Sequence, residues 1–344
     1  MSARARATLQ VMQDTVITVV GAGITGLWQA LTLARRGHRV RLLERATTPF
    51  AGAASSFAGA MLAPYCETET AAPVVLELGL KSLALWRETF PAAIWNGTLV
   101  LAGARDKGEL AHYARLTQGH RRLDGPAIAG LEPDLAQRFD RGLLYEGEGH
   151  LEPLAAMQFL LAQARAAGVE VQFGKTWQAH MRAGSDLIID CRGLDARAEL
   201  SALRGVRGER LIVRSREVAL RRPVRLLHPR HPLYVVPWDN GRYMLGATVI
   251  ESDDASPITV RSALELLGTA YALHPAFGEA EIIEAGAGVR PALPDNVPKI
   301  VVRGRTLYVN GLFRHGFLLA PVLSVLVADY LASGALEPRL FEIE

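Results

Sequence analysis

Cysteine is nearly absent from this 344-residue chain: Cys66 and Cys191 are the only two, and they lie far apart. That excludes a disulfide framework and suits a reducing compartment, so a cytoplasmic location is expected. An excess of charge of one sign is also lacking, with 38 Lys and Arg against 35 Asp and Glu for a net +3. Arg35-Arg36, Arg121-Arg122 and Arg221-Arg222 are separate pairs that read as solvated surface. Without a basic stripe, a nucleic-acid partner is not expected. The uncharged stretch 16–34 is interrupted by three glycines, and its β-branched opening suits a strand, so no membrane span is expected. Residues 1–13 carry two arginines but no apolar core before a cleavage site, and read as a loose N-terminal extension. His228 and His231 have no third ligand nearby in sequence, so no metal is expected.

What is present is apolar material, 49% of the residues, enough for a packed core in a chain long enough for two structural units. Residues 16–20 form a short β-branched run of the kind buried in a parallel sheet. Helical spacing runs through Ile24, Leu27, Trp28, Leu31 and Ala34 to Gly37, and a second strand over 40–43 ends at Glu44. This is a βαβ unit. Residues 45–64, rich in Gly, Ala and Ser, read as a functional loop. Further helices are expected over 73–89, 152–167, 259–272 and 316–332, and strands over 98–102, 169–173, 186–190 and 306–309. Between 206 and 248 the texture changes to successive strand candidates at 210–214, 217–220, 233–237 and 242–247. Asp239-Asn240-Gly241 marks a hairpin between the last two. The expected fold is α/β (α+β overall). A Rossmann-like dinucleotide domain (14–75, 150–205 and 285–344) is interrupted by an antiparallel-sheet substrate domain (76–149 and 206–284).

The chemistry starts at Gly21-Ala22-Gly23-Ile24-Thr25-Gly26, which follows an apolar strand and opens a helix. Gly21 permits the tight turn, Gly23 lets the backbone approach a pyrophosphate, and Gly26 allows helix to pack closely on strand. The helix N-terminus then presents N–H groups to phosphate charge. Glu44, 18 residues after Gly26, is placed for an adenosine ribose, with Arg45 beside it. This fingerprint admits FAD or NAD. FAD is favoured by a distant segment, 310–321, where a strand ends, Gly311 turns the chain and a helix starts at Gly316, followed by Phe317 and Leu318. Such a helix N-terminus can stabilise negative charge on a reduced flavin.

Several segments, in order along nearly the whole chain, together resemble the D-amino-acid oxidase superfamily, and most closely the glycine oxidases of thiamine (thiazole) biosynthesis. They are Gly21 to Leu27, Ala60-Met61-Leu62, Val206-Arg207-Gly208-Glu209, Tyr234 to Pro237, Leu245 to Thr248, Ala287-Gly288-Val289-Arg290-Pro291 and Phe313 to Pro321. The resemblance implies FAD, and a substrate carboxylate held by Arg290 with the Tyr234 hydroxyl. It places Arg314 near the substrate or flavin edge, with His315 following it where those glycine oxidases carry asparagine. It sets Ser55, Ser56, Ala60 and Met61 against the flavin, Val171 in the strand that reaches the adenine, and Gly193 in a second dinucleotide-contacting turn. Neither cysteine lies in the C-terminal segment and the loop after Glu44 has no histidine, so the FAD is expected to be non-covalent. The glycine flanking of Arg290 suggests a turn that presents its side chain inward.

The implied reaction is oxidation of glycine or a small glycine-like amino acid, with hydride passing from Cα to flavin N5, hydrolysis of the imine, and reoxidation by molecular oxygen to give hydrogen peroxide. The protein's part is orientation and charge placement, so no Ser/His/Asp or Cys/His set is needed. Other readings stay open: an oxidase or dehydrogenase of N-substituted glycines or D-amino acids, and a non-catalytic flavoprotein scaffold. Symmetric homo-oligomerisation is the common default for such an enzyme.

Overall fold

A computed structural model describes residues 15–178 and 187–344; the N-terminal extension and the start of the strand expected at 186 lie outside the described residues. The chain divides into two compact units. One runs through Ser56 and takes in Ala156–Arg204 and Pro291–Glu344; the other comprises Phe57–Ala155 and Gly205–Arg290. The divisions differ from the sequence expectation. Residues 57–75, 150–155 and 285–290, assigned above to the nucleotide domain, belong to the second unit, and Ala60, Met61 and Arg290 go with them. The cause at the last division is visible: a single strand, Glu281–Ala292, continues past Arg290, and no loop marks the change.

The first unit is a seven-stranded sheet in the order Phe341–Ile343, Lys299–Arg303, Thr306–Asn310, Leu187–Asp190, Val16–Val20, Arg39–Glu44, Glu170–Phe173. The strands from Thr306–Asn310 to Glu170–Phe173 are mutually parallel, and Lys299–Arg303 turns back antiparallel. Ile17, Val19 and Leu42 are fully buried, as strands covered on both faces require. Helix Ile24–Arg35 ends at Arg36, with Gly37 at φ +87°, where a left-handed stop suits glycine. It packs on the C-terminal helix Gly316–Ser333, and Thr32 Oγ1 and Ser324 Oγ lie 2.7 Å apart. That C-terminal helix is long and apolar enough to cross a membrane by length and composition, but two thirds of it is buried within the protein, as befits a core helix.

The second unit carries a nine-stranded sheet. Its main path is Ile250–Glu251, Arg204–Arg214, Arg242–Gly246, Leu233–Trp238, Val224–Leu227, Thr98–Ala102, Arg141–Tyr145, Arg121–Asp124, and Glu281–Ala292 pairs with Arg204–Arg214. Along the main path it is antiparallel except where Val224–Leu227 runs parallel to Thr98–Ala102. The hairpin at Asp239-Asn240-Gly241 has positive φ at Asn240 (+62°) and Gly241 (+65°), the backbone that a tight hairpin selects. Alternation along the strands sorts side chains to two faces. Leu211, Val213, Leu233, Val235, Tyr243 and Leu245 pack under helix Val260–Leu273; Ile212, Val236 and Met244 lie on the opposite face with Tyr234 and Trp238.

One expected strand is absent. Residues 217–220 bury Val218 and Leu220 in alternation, but their amides go to side chains instead of a ladder. Glu217 and Val218 N–H donate to Ser215 Oγ, Ala219 N–H to Asp134 Oδ2 and Arg221 N–H to Glu132 Oε2. Strand alternation without a partner strand yields a pinned loop.

Candidate active site

The glycine-rich turn is built of backbone against backbone. A Cβ at Gly26 would collide with the Gly21 carbonyl oxygen, and one at Gly21 would sit 2.8 Å from the Cys191 carbonyl oxygen. Gly23 occupies the N-cap of Ile24–Arg35 and brings no side chain; Ser55 Oγ accepts the Ile24 N–H at 3.1 Å instead. A Cβ at Gly23 would face that hydroxyl at 3.4 Å. Glu44 at the end of the second strand accepts from Ala22 N–H at 2.7 Å and Ala46 N–H at 2.9 Å, tying the first turn to the strand beside it. A carboxylate has about four acceptor positions, so those two bonds leave capacity for a ribose hydroxyl. Arg45 pairs with Asp195 at 2.9 Å on the exposed surface. Ser56 Oγ donates to the Phe50 carbonyl. Val171 lies in Glu170–Phe173 beside Leu42 of the second strand.

The C-terminal turn adjoins this one. Gly193 has φ +61°, and its carbonyl accepts from Asn310 Nδ2 at 2.9 Å; the Asn310 Oδ1 in turn accepts from Gly311 N–H at 2.8 Å. Gly311 has φ +78°, and a Cβ there would meet Leu293 at 2.6 Å. Half-buried Arg314 precedes His315, which is 3% exposed at the N-cap of the C-terminal helix. Gly316 opens that helix 3.4 Å (as a Cβ) from Ile24 Cγ2, so two helix N-termini converge, neither with an acid in its first turn. Phe317 and Leu318 are buried behind them. Two adjoining positive helix ends, a turn pared to glycine and a carboxylate at the second strand fit an anionic dinucleotide. Asp190 is buried beside them, its carboxyl raised by burial against the pull of Arg192, whose Nη2 lies 2.6 Å away.

In the second unit, glycines make room for side chains. A Cβ at Gly208 would overlap the Arg290 guanidinium, and one at Gly288 would meet the Phe57 ring at 2.8 Å. Arg290 is held from within strand Glu281–Ala292 rather than in a turn, which corrects the sequence expectation. Its Nη1 donates to the carbonyls of Thr248 (3.2 Å) and Arg207 (3.4 Å). Tyr234 and Arg210 each pair with Gly246 in the strand between them, so they share a face, and the Met244 thioether lies over Gly246 there. Gly208 lies two residues before Arg210, on that same face. Gly59 abuts Tyr234 and Met244, the Ala60 carbonyl accepts from Leu151 N–H, and Met61 pairs with His150. The result is a glycine-floored patch with a guanidinium and a phenol, both half-buried, which is suited to a small carboxylate. Arg207 and Glu209 point the other way: they pair at 2.8 Å and bind the start of helix Val260–Leu273.

Phe57, Arg210 and Glu284 escaped the sequence reading, and Gly208 entered it only within a resembling segment. Strand alternation places Arg210 on the face of Ile212, and that was the one available pointer; nothing local marks Phe57. Elsewhere in this unit, burial pushes the Glu148 carboxyl up to about 7, although it accepts from Cys66 N–H at 2.8 Å. Burial also lowers His150 to about 4. The rings of His228 and His231 stack at 5.6 Å. Among the described residues no group of three or more His, Cys, Asp or Glu is arranged to hold a metal.

Comparison with known proteins gives a concordant picture. The family described as DAO, FAD dependent oxidoreductase, matches residues 17–330. A Rhizobium etli protein bearing the name thiamine biosynthesis oxidoreductase ThiO is 52% identical over 324 residues, covering 94% of this chain and 98% of its own. A glycine oxidase of Geobacillus kaustophilus is 27% identical over 348 residues, 91% of this chain and 92% of that one. The crystal structure of glycine oxidase from that organism superposes with a TM-score of 0.79 at 24% identity over 92% of this chain and 94% of its own, which shows a common fold. The chain belongs to the DAO family of FAD dependent oxidoreductases.

Proposed function

We propose that this protein is an FAD-dependent oxidase of glycine or a small glycine-like amino acid. The observation that carries the reading is the seating of Arg290 over Gly208, on the sheet face that also holds Tyr234. A planar guanidinium offers a carboxylate two parallel charge-assisted bonds, and a phenol adds a third. The pair orients the amino acid by its carboxylate, leaving the Cα–H and amine to be positioned. In the nucleotide unit, the amides of Gly21 to Gly26 would hold the pyrophosphate and Glu44 the adenosine ribose. Arg45, Ser55, Ser56, Val171 and Gly193 would add contacts along the dinucleotide, and the family resemblance adds Ala60 and Met61 to the flavin contacts. Gly311, His315, Gly316, Phe317 and Leu318 would line the flavin end, with Arg314 near the reacting edge. The chemistry supplied by bound, non-covalent FAD is acceptance of a hydride from Cα, leaving an imine for water to hydrolyse, and return of the two electrons to oxygen as peroxide. The 52% identity to a protein named for thiamine biosynthesis supports a place in that pathway.

Anaerobic bleaching of the flavin absorbance, screened over glycine, sarcosine, D-alanine, D-proline and longer N-alkyl glycines, tests this. Fastest reduction by glycine or sarcosine, with peroxide formed on admitting air, supports it. Failure of every amine to bleach the flavin would sink it. Bleaching that persists in air would identify a dehydrogenase.

A further inference from the structure

Arg210 is 4% exposed, in the middle of the strand that carries the glycine floor of the carboxylate patch. A buried guanidinium is costly unless other groups hold it. Glu284 engages its Nη2 at 2.8 Å, and its guanidinium carbon lies 5.4 Å from the centre of the Phe57 ring. That ring rests on Gly286 and Gly288, where Cβ atoms would come within 3.0 and 2.8 Å of it. Glu284, Gly286, Gly288 and Arg290 alternate along one strand, so all four lie on one side. Across the sheet the row runs Arg210, Gly246, Tyr234, Arg225. Gly246 between Arg210 and Tyr234 has no side chain, and the Met244 thioether and the Tyr234 ring lie over its place, within 2.7 and 3.2 Å of where a Cβ would stand. Arg225, on the far side of Tyr234, is committed to Glu67 at 2.5 Å within a separate cluster around Cys66 and Tyr113. Burial lowers the pKa of Arg210, with Glu284 and Tyr234 acting in the opposite sense. Burial outweighs what those two return, so the cation is kept inside at a net cost.

We propose that Arg210 is a positioning residue of the carboxylate site: anchored by Glu284 and stacked on Phe57, it sets the place of the Tyr234 phenol and adds a second positive charge behind the Arg290 clamp. The proposal rests on the carboxylate reading above and extends it to a residue that need not touch the substrate. Arg290 and Tyr234 then work as a pair only while Arg210 keeps the phenol on the clamp side of Gly246.

The test uses FAD-loaded protein and two readouts: the dissociation constant of acetate, followed by perturbation of the flavin spectrum, and KM and limiting rate for glycine. Acetate binding does not depend on turnover, so it tests Arg210 even where glycine proves not to be the substrate. Arg210→Met should weaken acetate and raise KM by roughly fivefold, while the limiting rate and FAD content change by less than about twofold. Arg210→Lys, which keeps the charge, should recover part of that loss. In a double-mutant cycle, Tyr234→Phe should cost much less in the Arg210→Met background than in the wild type. Independent effects of the two substitutions overturn the proposal, as does loss of FAD and rate with acetate affinity intact. Should Arg210→Met fail to fold, Glu284→Gln releases the same anchor. A two- to threefold weaker acetate affinity, roughly, supports the proposal in that variant, and unchanged affinity overturns it.

Discussion

Glycine is used differently in the two units. Around Gly21 and Gly26 the missing Cβ lets one stretch of backbone lie against another, so the fold itself depends on it. At Gly208, Gly246 and Gly288 the missing Cβ makes space for a guanidinium, for the Met244 thioether beside the Tyr234 ring, and for the Phe57 ring, so what depends on it is a side-chain arrangement. Substitutions of the first kind should cost stability and cofactor. Those of the second should cost substrate binding and spare the rest.

The largest effect is expected at Gly26. Gly26→Ala drives a methyl into the Gly21 carbonyl and should cost roughly 3 kcal/mol or more, giving protein with little or no FAD. Flavin absorbance and thermal unfolding read this directly, and a fully loaded variant of wild-type stability would dissolve the contrast. Arg290→Met should come next, with kcat/KM for the amino acid reduced on the order of 100-fold and the flavin retained. Gly208→Ala sharpens the comparison, because it touches no catalytic chemistry yet displaces the Arg290 guanidinium. KM should rise about tenfold with FAD content unchanged; loss of FAD instead would put Gly208 in the class of Gly26.

The smallest effect concerns buried acids. In the nucleotide unit Asp190 has Arg192 against it, whereas Glu148 in the other unit is fully buried with its carboxyl raised to about 7. A carboxyl raised on folding contributes stability that is present below its unfolded value and is lost as pH climbs through about 7. Glu148→Gln should therefore flatten the decline of Tm between pH 5 and 8 by a few degrees, about 3 °C. Melting curves for both proteins across that range decide it, and parallel declines would assign the pH dependence elsewhere.

The nucleotide unit was readable from sequence because its constraints are local. Strand, glycine turn, helix and acid follow one another within 29 residues, from Val16 to Glu44, at spacings set by backbone geometry. The sheet face was readable only in part. Tyr234 and Arg290 came from resemblance, and Arg290 was expected in a turn because a glycine two positions before it resembles loop sequence; the glycine is there to admit Phe57. Arg210 and Glu284 meet through long-range strand pairing, and Phe57 reaches them from a distant segment outside the strands; no spacing rule encodes either. The segment 217–220 misled for the converse reason. Its alternation is real, but Ser215 and Asp134 take its amides, and Glu132 takes that of Arg221 just beyond it.

The strand order of the nucleotide sheet also sets a timetable for folding. Val16–Val20 lies between Arg39–Glu44, which follows at once, and Leu187–Asp190, which arrives much later; Thr306–Asn310 must then settle against Leu187–Asp190. Each of those late pairings closes a loop on the order of 100 residues or more, the sort of non-local parallel contact that slows folding. During synthesis the first βαβ unit waits with both strand edges uncovered, and helix Ile24–Arg35 lacks its partner until the C-terminal helix emerges. An interrupted chain should therefore be aggregation-prone, and the glycine-rich turn, although first to be made, would be among the last parts to acquire its final surroundings.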